Sequence, residues 1–95
     1  MNLAAVVVRW RGGDEVDRCL KSLLAQRSPD FGRIVLVDSG SGDGGAERLA
    51  SSFPEVEVIA LAENRSFAHA ANTGAAAITE DLILLLNPDT EVDEG

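Results

Sequence analysis

Cysteine occurs once in this 95-residue chain, at Cys19, so no internal disulfide can form and a stapled, exported scaffold is excluded. Positive charge is scarce. Eight Lys and Arg stand against sixteen Asp and Glu, and a net charge of -8 argues against a polyanionic partner such as nucleic acid. A single nucleotide is a different matter, because a few backbone amides, one arginine or a bound cation can neutralise a diphosphate locally. Long apolar runs are missing too: nothing approaches the roughly 18 residues that span a bilayer. The first run, Leu3 to Val8, is too short for a signal-peptide core and ends in Arg9, Trp10, Arg11. The expected setting is therefore cytoplasmic. There is no internal repeat, low-complexity tract or linker, and with three prolines and 45% hydrophobic residues the composition predicts one globular domain over residues 1–95.

What is present is an alternation of strands and helices. Valine-rich Leu3 to Val8 reads as a strand, and Arg11, Gly12 and Gly13 as the turn after it. Asp14 is a good N-cap for a helix carrying Val16, Leu20, Leu23 and Leu24 at helical spacing up to about Gln26, before Pro29. Ile34 to Val37 is a second strand, stopping at Asp38 in the loop Asp38-Ser39-Gly40-Ser41-Gly42-Asp43-Gly44-Gly45. A short helix with Leu49, Ala50 and Phe53 on one side closes at Pro54, and Val56 to Leu61 make a third strand. After the polar corner Glu63 to Ser66 comes an alanine-rich helix facing inward with Phe67, Ala70, Ala71, Gly74, Ala75 and Ile78; its small residues predict close approach to a sheet.

The last strand is Leu82 to Leu86, apolar throughout, which reads as buried on both faces in the manner of parallel sheets. The β-α-β-α-β-α-β order predicts an α/β, Rossmann-like parallel sheet wound by right-handed crossovers, with strand order 3-2-1-4 if strands three, two and one lie side by side and the fourth crosses back next to the first. The topological switch then falls between strands one and four, and a ligand crevice should lie between Arg9, Trp10 and Arg11 on one side and Asn87 to Thr90 on the other. This order also makes the most apolar strand an edge. The expectation is that further chain, or a second copy in a homo-oligomer, covers it.

Taken singly, the polar residues have plain readings. Asp38 reads either as a turn former or as a ligand contact, Asn87-Pro88-Asp89 is a common turn sequence, and Asp43 reads as a cap or loop brace. Cys19 reads as an inert core thiol, His69 as a partly exposed residue, and Trp10 either as a wall of a base pocket or as a cap on the core. The acidic tail, Glu91 to Glu94, reads as a solvated face.

Taken together, "AVVVRWRGGDEVDRCLKSLLAQ", "IVLVDSGSGDGG", "AENRSFAHAANTG" and "DLILLLNPDT" resemble, in order and over nearly the whole chain, the nucleotide-binding half of a family 2, GT-A-type glycosyltransferase. The resemblance implies that Asp38 reads the nucleotide base, a role a carboxylate fills by accepting the imide N–H of uracil or thymine. It makes Asn87-Pro88-Asp89 the counterpart of the family's Asp-X-Asp motif, with Asp89 holding Mg²⁺ or Mn²⁺ against a sugar-nucleotide diphosphate. Asn87 replaces the first aspartate, which leaves one anionic ligand, and can bond a ribose hydroxyl. Arg65 is placed at the diphosphate, Trp10 and Arg11 at the nucleotide, and Gly40 in the loop that shapes the site. Arg9 and Arg11 depart from the usual Asn-Trp-Asn, and Ser66 stands where a glycine is expected.

The implied activity is transfer of a sugar from a UDP- or dTDP-sugar to a saccharide or lipid-linked acceptor, with inversion, in an enzyme peripheral to the inner face of the membrane. The acceptor half and the catalytic base are expected beyond Gly95. Two rival readings exist. One is an S-adenosylmethionine-dependent methyltransferase using "LVDSGSGDGG" as its glycine loop, which would require that loop to follow the first strand. The other is a non-catalytic fragment that binds nucleotide or a protein partner.

Overall fold

The computed structural model describes residues 3–10, 15–63, 67–79 and 82–86. Its elements are β1 (Leu3–Arg9), α1 (Glu15–Ala25), β2 (Phe31–Asp38), α2 (Gly45–Ser52), β3 (Glu57–Ala60), α3 (Phe67–Ala76) and β4 (Leu82–Leu86). The strands form one sheet in the order β3-β2-β1-β4, and every pairing is parallel. The expected α/β architecture and strand order are both present.

Side chains on a strand alternate between faces, and the two halves of β1 and β2 divide accordingly. Ala5, Val7, Ile34 and Leu36 pack with Val16, Cys19, Leu20 and Leu23 of α1, with Leu49 of α2, and with Phe53 and Val56. Val6, Val8, Val35 and Val37 pack instead with Ala70 and Ala71 of α3. Helices α1 and α2 thus share one face because β1, β2 and β3 step in one direction. The chain then reverses past β1 to reach β4, and with crossovers of one hand the reversing helix falls on the other face. Burying side chains such as Leu20 and Leu23 stabilises the fold by roughly 1.5–3 kcal/mol each.

The small face of α3 has the consequence expected of it. A Cβ on Gly74 would lie 2.6 Å from Val6 Cγ1 and 3.0 Å from Val37 Cγ2, so the helix backbone rests on the sheet at that point. Cys19 is fully buried.

Four expectations are corrected. β2 starts at Phe31, earlier than the apolar run, because Leu3 pairs with Phe31 and a register irregularity between Leu3 and Ala4 accommodates Gly32. β3 is shorter than Val56 to Leu61 and half exposed, as suits an edge. In α2, Ala46 and Leu49 are buried and Ala50 is exposed, since Ala50 lies about 100° round the helix from Leu49. The largest correction is β4. It is not buried on both faces: Leu82, Ile83 and Leu85 are 49%, 39% and 48% exposed, while Leu84 and Leu86 are half-buried against the α1 side. The cause is position, because α3 covers the central strands and leaves the edge beside β1 bare. No helix among the described residues is long and apolar enough to cross a membrane.

Candidate functional site

Parallel pairing brings the carboxyl ends of all four strands to one edge of the sheet. Arg9 ends β1 directly beside Asp38 at the end of β2, and Asp38 lies beside Ala60 at the end of β3. Arg9 has the same strand parity as Ala5 and Val7, and Asp38 the same as Ile34 and Leu36, so both side chains fall on the α1–α2 face. Position alone therefore makes them neighbours. Arg9 Nη1 donates to Asp38 Oδ1 at 3.1 Å, in a pair where the residues are only 2% and 4% exposed.

Arg9 has a second partner. Its Nη1 and Nη2 donate to Asp43 Oδ1 and Oδ2 at 3.2 and 2.8 Å, a two-pronged grip that ties the loop after β2 back to β1. Asp43 Oδ1 also accepts from the backbone N–H of Gly45 at 2.9 Å, at the start of α2. Asp43 is thus the loop brace that the sequence suggested. Its hydrogen bonds from Arg9 and from Gly45 hold its carboxyl down to about 2. For Arg9, burial alone would ease deprotonation, but the hydrogen bond and charge of Asp43 and the charge of Asp38 outweigh it and leave the pKa raised.

The guanidinium lies against the first turn of α2, where a Cβ on Gly45 would come within 2.4 Å of it. A cation is disfavoured at the positive end of a helix, so the two carboxylates are what hold it there. Among the described residues Arg9 Nε is a buried donor without a partner. An unmet buried donor costs about 1–3 kcal/mol, which marks the arrangement as one kept against local cost.

Asp38 is held through Oδ1 and through its backbone carbonyl. Its Oδ1 also accepts from the Ser41 hydroxyl at 2.5 Å, and its backbone carbonyl accepts from Gly40 N–H at 3.0 Å and Leu61 N–H at 2.8 Å. The loop turns through left-handed backbone at Gly40, Gly42 and Gly44, with φ of 68°, 67° and 75°. Above Gly42 and Gly44 the space is open, and a side chain there would fit but would strain the backbone. This open space belongs to a crevice of about 390 Å³ lined by Asp38, Gly42, Gly44, Ala46, Glu47, Ala60 and Leu61. A second crevice of about 240 Å³, lined by Leu61, Ala62, Glu63 and His69, adjoins it at Leu61.

Of the residues singled out from the sequence, Asp38 and Gly40 are thus placed at the loop and crevice. Trp10 follows Arg9 at the same sheet edge and is 50% exposed, so it is not a cap on the core. Arg11, Arg65, Asn87 and Asp89 lie outside the described residues. β4 brings its last residue, Leu86, level with Val7 and hence to the same edge. Among the described residues, no three His, Cys, Asp or Glu side chains come together as a metal-binding group. Arg9, expected on the wall of the ligand crevice, is instead buried and bonded to Asp38 and Asp43. The sequence shows a lone charge closing an otherwise apolar strand and a carboxylate closing another; that the two meet depends on strand register.

The chain was compared with known proteins. It matches the family model of glycosyl transferase family 2 over residues 5–95. A teichoic acid poly(glycerol phosphate) polymerase of Staphylococcus epidermidis is 27% identical over 97% of this chain, which spans 13% of that protein. Among solved structures, a mannosyltransferase of Pyrobaculum calidifontis in complex with GDP-Man and Mn2+ superposes with a TM-score of 0.79 at 24% identity, over 93% of this chain and 27% of that one. Residues 1–349 of S. aureus TarS superpose with a TM-score of 0.80 at 20% identity, over 94% of this chain and 28% of that one. The same portion of TarS has been solved in complex with UDP. The glycine loop here follows the second strand of its sheet, where a methyltransferase would need it after the first. With the fold, the loop position and the family match in agreement, the chain belongs to glycosyl transferase family 2.

Proposed function

We propose that this chain is the donor-binding part of an inverting glycosyltransferase that takes a UDP- or dTDP-sugar and delivers the sugar to a saccharide or lipid-linked acceptor. The observation that carries the reading is the crevice beyond the carboxyl ends of β2 and β3, with a braced carboxylate, Asp38, on its wall. Ligands of open parallel sheets bind at such ends. In this reading Asp38 accepts the imide N–H of the base, Trp10 and Arg11 flank the nucleotide, and the loop through Gly40 shapes the pocket. Arg65 is assigned to the diphosphate and Asn87 to a ribose hydroxyl.

Asp89 is assigned as the ligand of Mg²⁺ or Mn²⁺, ions that take hard oxygen donors and often use one carboxylate with substrate phosphates. Such an ion, when bound, stabilises charge on the departing diphosphate. The relatives are several times longer than this chain, which spans 13% of the polymerase and 27% of the mannosyltransferase. In this reading the enzyme works in the cytoplasm, at the inner membrane face.

Calorimetric titration of the 95-residue chain with UDP and dTDP, each with and without Mn²⁺, tests the reading. The expected result is metal-dependent diphosphate binding that is lost in Asp89→Ala and weakened in Asp38→Ala. Binding of S-adenosylmethionine with no diphosphate binding would overturn it.

A further inference from the structure

The two bonds that brace Asp38 fall on the same oxygen. Arg9 Nη1 and the Ser41 hydroxyl both donate to Oδ1, at 3.1 and 2.5 Å. A carboxylate oxygen offers about two acceptor positions, so Oδ1 is filled from within the protein. Oδ2 has no partner among the described residues, and Asp38 lines the 390 Å³ crevice. A ligand in that crevice therefore meets a carboxylate with one working oxygen.

This asymmetry distinguishes nucleobases. Uracil and thymine present one imide N–H, between two carbonyls, and one oxygen satisfies it. Guanine presents two parallel donors, the ring N–H and the exocyclic amino group, which suit a carboxylate only when both of its oxygens accept. Against Asp38 as it is held here, one guanine donor would lose water and gain no acceptor, the costly case for a hydrogen-bonding group.

We infer that Arg9 and Ser41 are specificity-determining positioning residues: by occupying Asp38 Oδ1 they restrict the site to a nucleoside diphosphate whose base has a single imide donor, and reject guanine. The inference rests on the reading of Asp38 as the base-contacting residue. It does not follow from the fold, since the mannosyltransferase structure that superposes on this chain holds GDP-Man. Nor is it a matter of charge, because a base edge is neutral. Arg9 is well suited to this role because Asp43 grips its guanidinium through both Nη1 and Nη2, which holds Nη1 against Oδ1.

The test is the ratio of affinities for UDP and GDP, measured by calorimetry in Mn²⁺ on the 95-residue chain and on Ser41→Ala and Arg9→Lys. Far-ultraviolet circular dichroism checks the fold of each. Ser41→Ala removes one occupant of Oδ1 with little loss of volume. Arg9→Lys keeps the charge and loses the fork that spans Asp38 and Asp43.

The unaltered chain is expected to favour UDP by about tenfold or more, and the ratio to shrink several-fold in Ser41→Ala. Arg9→Lys should move the ratio the same way. Simple loosening of the loop would weaken both ligands in proportion and leave the ratio fixed. A fixed ratio in a folded Ser41→Ala chain, or equal binding of UDP and GDP by the unaltered chain, would overturn the inference while leaving the donor-site reading intact. Binding of neither diphosphate would overturn that reading, and the inference with it.

Discussion

β1 and β4 are neighbours in the sheet and near-equals in sequence, both unbroken apolar runs, yet the first is sealed and the second is bare. Ala4 to Val8 are 0–6% exposed, whereas Leu82 and Leu85 are 49% and 48% exposed. A run of apolar residues records what a strand needs to have covered. It does not say that the chain in hand supplies the cover. The difference also bears on the site, because the sealed pair β1–β2 carries the fixed carboxylate while the bare strand leads toward Asp89.

The contrast can be broken most forcefully at Arg9. Arg9→Met removes the partner of a carboxylate that is 4% exposed, and an uncompensated buried charge costs about 3–5 kcal/mol. Urea unfolding should show that loss; one under about 1 kcal/mol, the worth of an exposed pair, would mean that water reaches Asp38 freely. Leu36→Ala, at a fully buried position of β2, should cost about 2–5 kcal/mol in the same assay. At Gly74, alanine would place its Cβ 2.6 Å from Val6 Cγ1, and the forced shift should cost about 1–3 kcal/mol.

The bare strand should behave otherwise. Leu85→Lys is expected to change stability by no more than about 0.5 kcal/mol and to reduce any concentration-dependent self-association seen by light scattering. A loss comparable to that of Leu36→Ala would show that β4 is covered in the isolated chain and that the contrast is false.

The smallest effect concerns acid. The Asp43 carboxyl is depressed to about 2 from an ordinary value of 3.8, so its contribution is complete above about pH 4 and fades as pH falls toward 2. Asp17, held low by its hydrogen bond from Arg48, contributes in the same direction. The urea midpoint should decline over that acid range, and Asp43→Asn should flatten part of the decline.

Much of the fold was readable because each strand is bounded by a turn or a helix cap and the helices carry a clear inward face. The strand order is a premise of that reading and is the one observed; given that order, crossover handedness sets which face each helix covers. The state of β4 was not readable, since burial depends on what lies across the sheet and not on the run itself. At the site, Asp38 was legible as a polar residue closing an apolar strand. Its bond to Arg9 was not, because that contact depends on the register of two strands, with Arg9 opposite Asp38, and register is set by the whole sheet. Asp43 was legible as a brace from its place among glycines, but its partner, thirty-odd positions earlier, was not.

Everything proposed for this chain turns on the donor sitting in the crevice at the ends of β2 and β3, against Asp38. Titration of the ¹⁵N-labelled chain with UDP and Mg²⁺, followed by amide chemical shifts, locates the ligand without relying on turnover. Shifts are expected to concentrate in residues 38–47 and at Ala60 and Leu61, and to collapse in Asp38→Ala. Saturable shifts confined to amides away from that edge, and unchanged in Asp38→Ala, would place the donor elsewhere and refute the assignment.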